Sequence, residues 1–184
     1  MPGEYEMKFD GLRLFLAYMF AHPGKKLLFM GSEFGQFIEW NYKQGLDWLL
    51  LDYDMHKKML GFSKTLNNLY KETPALWQID YSWDGFQWIN ANDGDRSIFS
   101  FVRYAKNKRK SLLFVCNFTP MERPEYRVGV PKRGNYTLLL DNGHGAYAPS
   151  ECPVFRAVKK ECDGQPFSIS LPLSAYGTAI LRFS

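Results

Sequence analysis

Residues 97–118 read SIFSFVRYAKNKRKSLLFVCNF, and this stretch decides the fold class. Two strand-sized segments rich in aromatic and β-branched residues, SIFSFVRY (97–104) and SLLFVCNF (111–118), flank a short polar run. That pattern predicts two antiparallel strands joined by a hairpin loop. The run holds Lys106, Lys108, Arg109 and Lys110, the densest positive charge in the chain. Between two strands, such a run reads as a solvated loop rather than as a nucleic-acid site or a nuclear-targeting signal.

Further strands of the same kind follow: NYTLLLDN (135–142), FSISLPL (167–173) and YGTAILRF (176–183). Turn signals separate several of them, among them Asn92-Asp93-Gly94-Asp95 and Asp141-Asn142-Gly143. About 100 residues of this grammar predict an antiparallel sandwich or barrel. It begins after a boundary placed between Thr73 and Trp77.

Upstream the pattern is different. Phe9, Leu12, Leu16, Met19 and Phe20 recur at spacings of three and four, which predicts a helix stopped by His22-Pro23-Gly24. Phe15 and Tyr18 widen its apolar surface, so cover on more than one side is expected. A second helix is predicted over Met55 to Lys71, with Asp54 as its cap, Met59, Phe62, Leu66, Leu69 and Tyr70 on its buried face, and Glu72-Thr73-Pro74 as its end. Between the helices, Leu27-Leu28-Phe29-Met30 runs apolar without alternation, as a strand buried on both faces of a parallel sheet does. One such strand cannot stand alone, because a parallel sheet needs partner strands and helical cover. Either it joins the β-region, or the chain is the tail of a larger α/β protein.

Composition narrows the function classes. The 184 residues are 46% hydrophobic and 23% charged, which is globular, and no apolar run approaches the ~20 residues of a membrane span. The expectation is a protein with no membrane or nucleic-acid partner. Met1 is followed by Pro-Gly-Glu-Tyr-Glu, unlike a secretory signal, and Cys116, Cys152 and Cys162 form neither a C-x-x-C pair nor an even set. A reducing, cytoplasmic setting is therefore expected, and the sequons at Asn117 and Asn135 read as accidental. His22, His56 and His144 are too scattered to predict a metal site. Aromatic residues reach 17%, with five Trp and eleven Tyr; such rings fill cores but also stack on the apolar faces of sugars.

If Leu27 to Met30 belongs to a (β/α)8 barrel, the loop leaving it, GSEFGQ (31–36), emerges on the face where such barrels build their sites. Glu33 is then either an acid/base or an acceptor that shapes the loop. Retaining glycoside chemistry needs two carboxyl groups ~5–5.5 Å apart, and one strand end gives no reason to pair Glu33 with Glu39. Trp40, Asn41, Asp47 and Trp48 form an aromatic and polar cluster further along the loop, which either packs the loop down or lines a sugar site.

The combination KKLLFMGSEFGQ (25–36), EWN (39–41), LDW (46–48), LNNLY (66–70), PALW (74–77), GFQWI (85–89), SIFSFVR (97–103) and NFTPMERPEYRVGVP (117–131) resembles the C-terminal part of bacterial-type 1,4-α-glucan branching enzymes of the α-amylase superfamily. The resemblance covers essentially the whole chain, in order. It implies that residues 1–75 are the last strand and helices of a catalytic (β/α)8 barrel and residues 76–184 an antiparallel all-β C-terminal sandwich. The implied reaction cuts an α-1,4 bond, holds the chain on an aspartate and passes it to the 6-hydroxyl of another glucan chain, with no organic cofactor. The aspartate nucleophile, the glutamate acid/base and the substrate-gripping His-Asp pair of that family lie before the matched segment, so no catalytic residue is carried over. Glu33, Phe34, Gln36, Trp40, Asn41 and Trp48 are expected to wall the groove for α-glucan (glycogen or amylose-like chains). The implied partners are that glucan and a preceding catalytic portion, and the chain alone is expected to be inactive. The rival readings are a non-catalytic glucan-binding module, with Trp83 and Trp88 as candidate contacts, and a purely structural or interaction domain.

Overall fold

The computed structural model describes residues 3–39, 41–143 and 152–184; Trp40 and His144 thus lie outside the described residues. Two helices, α1 (Tyr5–Ala21) and α2 (Asp54–Glu72), precede eight strands. These are β1 (Phe86–Asp93), β2 (Ile98–Arg103), β3 (Ser111–Asn117), β4 (Arg123–Val130), β5 (Asn135–Asp141), β6 (Val154–Arg156), β7 (Phe167–Leu173) and β8 (Thr178–Phe183). Six strands form one sheet in the order β1-β2-β3-β8-β5-β6, and β4 pairs with β7 in a second. Every pairing is antiparallel. The hairpin read from residues 97–118 is β2–β3, in register with Phe101 opposite Phe114, and Lys106 to Lys110 lie exposed at its tip.

The sheet separates two cores, and β3 shows why its sequence is unbroken apolar. Leu112, Phe114 and Cys116 face the helices together with Phe9, Leu16, Phe20, Phe62 and Leu66. Leu113 and Val115 face the second sheet with Val128, Ile169 and Leu181. Alternate residues of a strand point to opposite faces, so a strand covered on both sides needs apolar residues at every position. The result is three layers: helices, the six-stranded sheet and the β4–β7 pair.

Arg103 fastens the helical layer to the sheet. It follows Phe101 by two residues on β2 and so shares its face, and it is 0% exposed. Its guanidinium donates to the carbonyls of Ala21 (2.7 Å) and Leu76 (3.3 Å) and pairs with the Asp80 carboxylate at 2.5 Å. One charge thereby satisfies the end of α1, the turn after α2 and the loop leading into β1. A buried cation persists only with such partners.

Three expectations are corrected. Leu27 to Met30 is not a strand: no described strand pairs with it, and Leu27 and Phe29 are 73% and 54% exposed. Among the described residues no strand lies beside it, and a β-ladder requires one. Asp54 does not cap α2; Tyr53 occupies that position without a side-chain bond, and Asp54 is the first helical residue. There its charge still suits the positive helix end. Phe15 does not gain cover, since it lies on the open side of α1. No helix of the described residues is long and apolar enough to cross a membrane.

Candidate functional site

The loop 31–36 is built by two glycines. Gly31 (φ 85°) and Gly35 (φ 74°) both adopt the left-handed conformation, bracketing a 3-10 turn over Ser32–Phe34. A Cβ on Gly31 would stand 2.8 Å from Gln36 Cβ and 2.9 Å from Phe34 Cζ, so this position needs glycine for space as well as for φ. The amides of Phe34 and Gln36 both donate to the Gly31 carbonyl, at 3.2 and 3.0 Å. The Ser32 hydroxyl closes the turn onto the Phe29 carbonyl.

Helix α2 holds this loop from beneath. Ser63 Oγ donates to the Glu33 carbonyl at 2.8 Å, and His56 Nδ1 lies 2.7 Å from the Phe34 carbonyl. A carbonyl only accepts, so Nδ1 carries the proton. Phe34 is wholly buried, while Trp48 packs on it at 5.3 Å with a 34° tilt and keeps 57% of its surface in solvent. Gln36 Oε1 accepts from the Asp47 amide at 2.9 Å and its Nε2 donates to the Ile38 carbonyl at 3.1 Å, which fixes the far limb of the loop. Asn41 Oδ1 accepts from the Lys43 amide at 3.1 Å in a local side-chain turn.

These contacts divide the expected site residues. Glu33 lines a cleft of about 330 Å³ with Leu28, Met30, Ser63 and Lys64. Gln36 borders a different depression of about 250 Å³ with Lys8, Phe9 and Phe37. Phe34 is buried behind Trp48, which stays largely exposed. His56, which anchors the loop, was not singled out as a site residue; its place one residue into a helix start gave no sign that it turns back to residue 34.

No group of three or more His, Cys, Asp or Glu among the described residues is placed to hold a metal. All three cysteines are free, and burial raises the Cys116 thiol to about 12, which keeps it protonated and inert. Asn117 is buried and donates to the Met121 and Ser174 carbonyls at 2.8 and 2.9 Å.

The strand order and twin cores of the β-region can be set beside known proteins. Residues 88–184 match the family described as alpha amylase, C-terminal all-beta domain. The chain belongs to that family. Over 185 residues and 99% of its length, this member of the alpha-amylase C-terminal family is 43% identical to the 1,4-alpha-glucan branching enzyme GlgB of Halothermothrix orenii. It is 45% identical over its full length to the enzyme of that name from Butyrivibrio fibrisolvens, and 49% identical over 82% of its length to one from Clostridium perfringens. The chain spans only 29%, 29% and 22% of those three proteins. Among solved structures, the alpha-amylase of H. orenii superposes with a TM-score of 0.57 at 18% identity, over 95% of this chain and 36% of that one. At that identity the likeness is one of fold.

Proposed function

We propose that this chain is the C-terminal part of a 1,4-α-glucan branching enzyme, which transfers an α-1,4-linked glucan segment to a 6-hydroxyl and so makes α-1,6 branches in a cytoplasmic glycogen pathway. The carrying observation is identity of 43–45% along 99–100% of the chain to branching enzymes of which it spans 29%. The catalytic carboxylates belong to the preceding portion of the enzyme, and the chain's own share is structural and positional. Residues 1–75 complete the catalytic barrel, in which Leu27 to Met30 is the last strand and gains its missing neighbours. Residues 76–184 form the all-β domain that braces it. The exposed Leu27 and Phe29 support this reading, since a last barrel strand buries both faces once its partners are present.

The loop from Glu33 to Trp48 then walls the glucan groove. Trp48 supplies a ring face on which a pyranose can lie, while Phe34, Gln36, Ser63 and His56 hold the loop in shape. Glu33 is a loop residue at the groove rim rather than the acid/base. Asn41 completes the rim.

A chimera tests the proposal: the catalytic portion of the H. orenii enzyme joined to this chain in place of its own matching segment, assayed on amylose by the fall in iodine-stained absorbance. The expected result is branching by the chimera and none by the 184-residue chain. A folded chimera without activity, or branching by the isolated chain, contradicts it.

A further inference from the structure

The two edges of β4 have different neighbours. One edge pairs with β7, and the other meets no strand among the described residues. The turn at Cys162 and Asp163 meets it instead: the Gly129 amide donates to Asp163 Oδ2 at 2.8 Å, and Cys162 Sγ donates to the Arg127 carbonyl at 3.7 Å. Along this free edge lies a cleft of about 500 Å³ whose lining includes three guanidinium groups, those of Arg96, Arg123 and Arg127. Because β4 lies across the six-stranded sheet from the helices, the cleft is separate from the loop at Glu33 to Trp48.

Each arginine reaches the cleft by a different route. Between the pairs Arg123–Leu173 and Tyr126–Leu171, β4 carries one residue more than β7. This bulge puts Arg123 on the face of the buried Tyr126, and Arg123 Nε is buried with no hydrogen-bond partner among the described residues. Arg96 lies over the Tyr126 ring, 5.3 Å from its centroid, and is held there by Asp93, which also accepts from the Tyr126 hydroxyl. Arg127 Nη1 reaches Ser168 Oγ at 3.3 Å, and the Arg127 amide points to the same free edge as its carbonyl. The nearby carboxylates are engaged: Asp93 as above, and Asp163 by the Asn90 side chain at 2.9 Å and the Gly129 amide. Among the described residues neither Arg123 nor Arg127 pairs with a carboxylate. Charges on a free edge commonly serve only to deter another strand, but such charges stay in water. A guanidinium with a buried, unmatched Nε lacks an anion.

Glu122 and Glu125 also line the cleft, and both are exposed. Guanidinium groups beside solvent-facing carboxylates suit a ligand with a phosphate at one end and hydroxyl donors at the other. We infer that this cleft binds the phosphate monoester of a small polyol, with the phosphate oxygens on Arg96, Arg123 and Arg127 and the hydroxyls on Glu122 and Glu125. Its volume is that of a small-molecule site. Bound there, the ligand ties β4 to the turn at Cys162 and to the β1–β2 connection that carries Arg96, and it takes no part in the chemistry of the groove. The inference does not depend on the branching-enzyme reading.

Equilibrium dialysis of the 184-residue chain against labelled glucose 6-phosphate tests the inference, with labelled inorganic phosphate and labelled glucose as separate arms. The expected result is saturable binding of glucose 6-phosphate at one site per chain, binding of inorganic phosphate weaker by at least about tenfold, and none of glucose. Arg123→Gln and Arg127→Gln should each weaken glucose 6-phosphate binding at least about tenfold, as the loss of a charge-assisted hydrogen bond does. Circular-dichroism melts check that the variants fold, and Arg127, which is only half-buried, supplies the decisive variant if Arg123→Gln does not. A parent that retains no glucose 6-phosphate, inorganic phosphate or glucose bound as tightly as the ester, or a folded Arg127→Gln with the parent's affinity overturns it.

Discussion

The β-region and the segment between the helices use the same kinds of residue to opposite ends. In β3 every residue from Ser111 to Asn117 is buried, with a core on each side and a strand on each edge. In Leu27 to Met30 an equally apolar run has no strand on either edge among the described residues, and Met30 turns with φ 42°. Hydrophobicity alone therefore does not make a strand; a partner does. One region closes its own hydrogen bonds and cores, and the other has the composition of a closed core without the neighbours.

The contrast can be broken at several points. The largest effect is expected at the clamp between layers: Arg103→Ala strands Asp80 and the carbonyls of Ala21 and Leu76, at a cost of about 3–5 kcal/mol. Urea denaturation monitored by tryptophan fluorescence measures it. A loss below 1 kcal/mol would mean that the helical layer rests on the sheet without this fastening.

A smaller effect is expected from acid. His22 sits among Tyr18, Phe86, Trp88 and Phe101, with ring centroids 4.4 to 5.5 Å away. Burial first, then the charges of Arg103 and Lys26, lower its pKa to about 4. As pH falls, the unfolded chain takes up this proton near the ordinary value of about 6.5, whereas the folded chain resists until about 4. Stability from this source is thus complete above pH 6.5 and is lost progressively down to pH 4. Between pH 7 and pH 5, the urea midpoint of the parent should fall further than that of His22→Gln. Parallel curves would show that His22 titrates freely in the fold.

The smallest effect is expected where composition looks most core-like. Leu27→Ser should change the stability of the 184-residue chain by less than about 0.5 kcal/mol, as for a surface site. Phe114→Ala, equally apolar in sequence, should cost about 3–5 kcal/mol. Comparable losses at both positions would erase the distinction between the two regions.

What the sequence revealed follows the same physics. β2, β3, β5, β7 and β8 were legible because their apolar residues cluster between turn signals, and both helices because their buried positions recur at helical spacing. β1 was hidden by Gln87, Asn90 and Asn92, and β4 by Arg123, Pro124 and Glu125, polar or ring-locked residues that are half-buried or exposed and break the apolar pattern. Three-residue β6 is too short to carry a pattern. Leu27 to Met30 departs from the strand expectation because an apolar run without alternation still needs a partner strand, and none of the described strands pairs with it. The left-handed glycines that shape the loop at Glu33 could be suspected from GSEFG. The anchoring by Ser63 and His56 could not, since it joins residues 22 to 30 positions apart. Arg103 left one trace: it shares the parity of Phe101 on β2, which marks the face toward the helices.

The central proposal is that Leu27 to Met30, not a strand in this structure, becomes one when the preceding part of a branching enzyme supplies its neighbours. Amide hydrogen exchange at these residues, compared between the 184-residue chain and the active chimera, tests it most directly. The account predicts rapid exchange in the chain alone and exchange slowed by at least about 100-fold in the chimera, as core strands show. Equal protection in both, or none in the chimera, would contradict it.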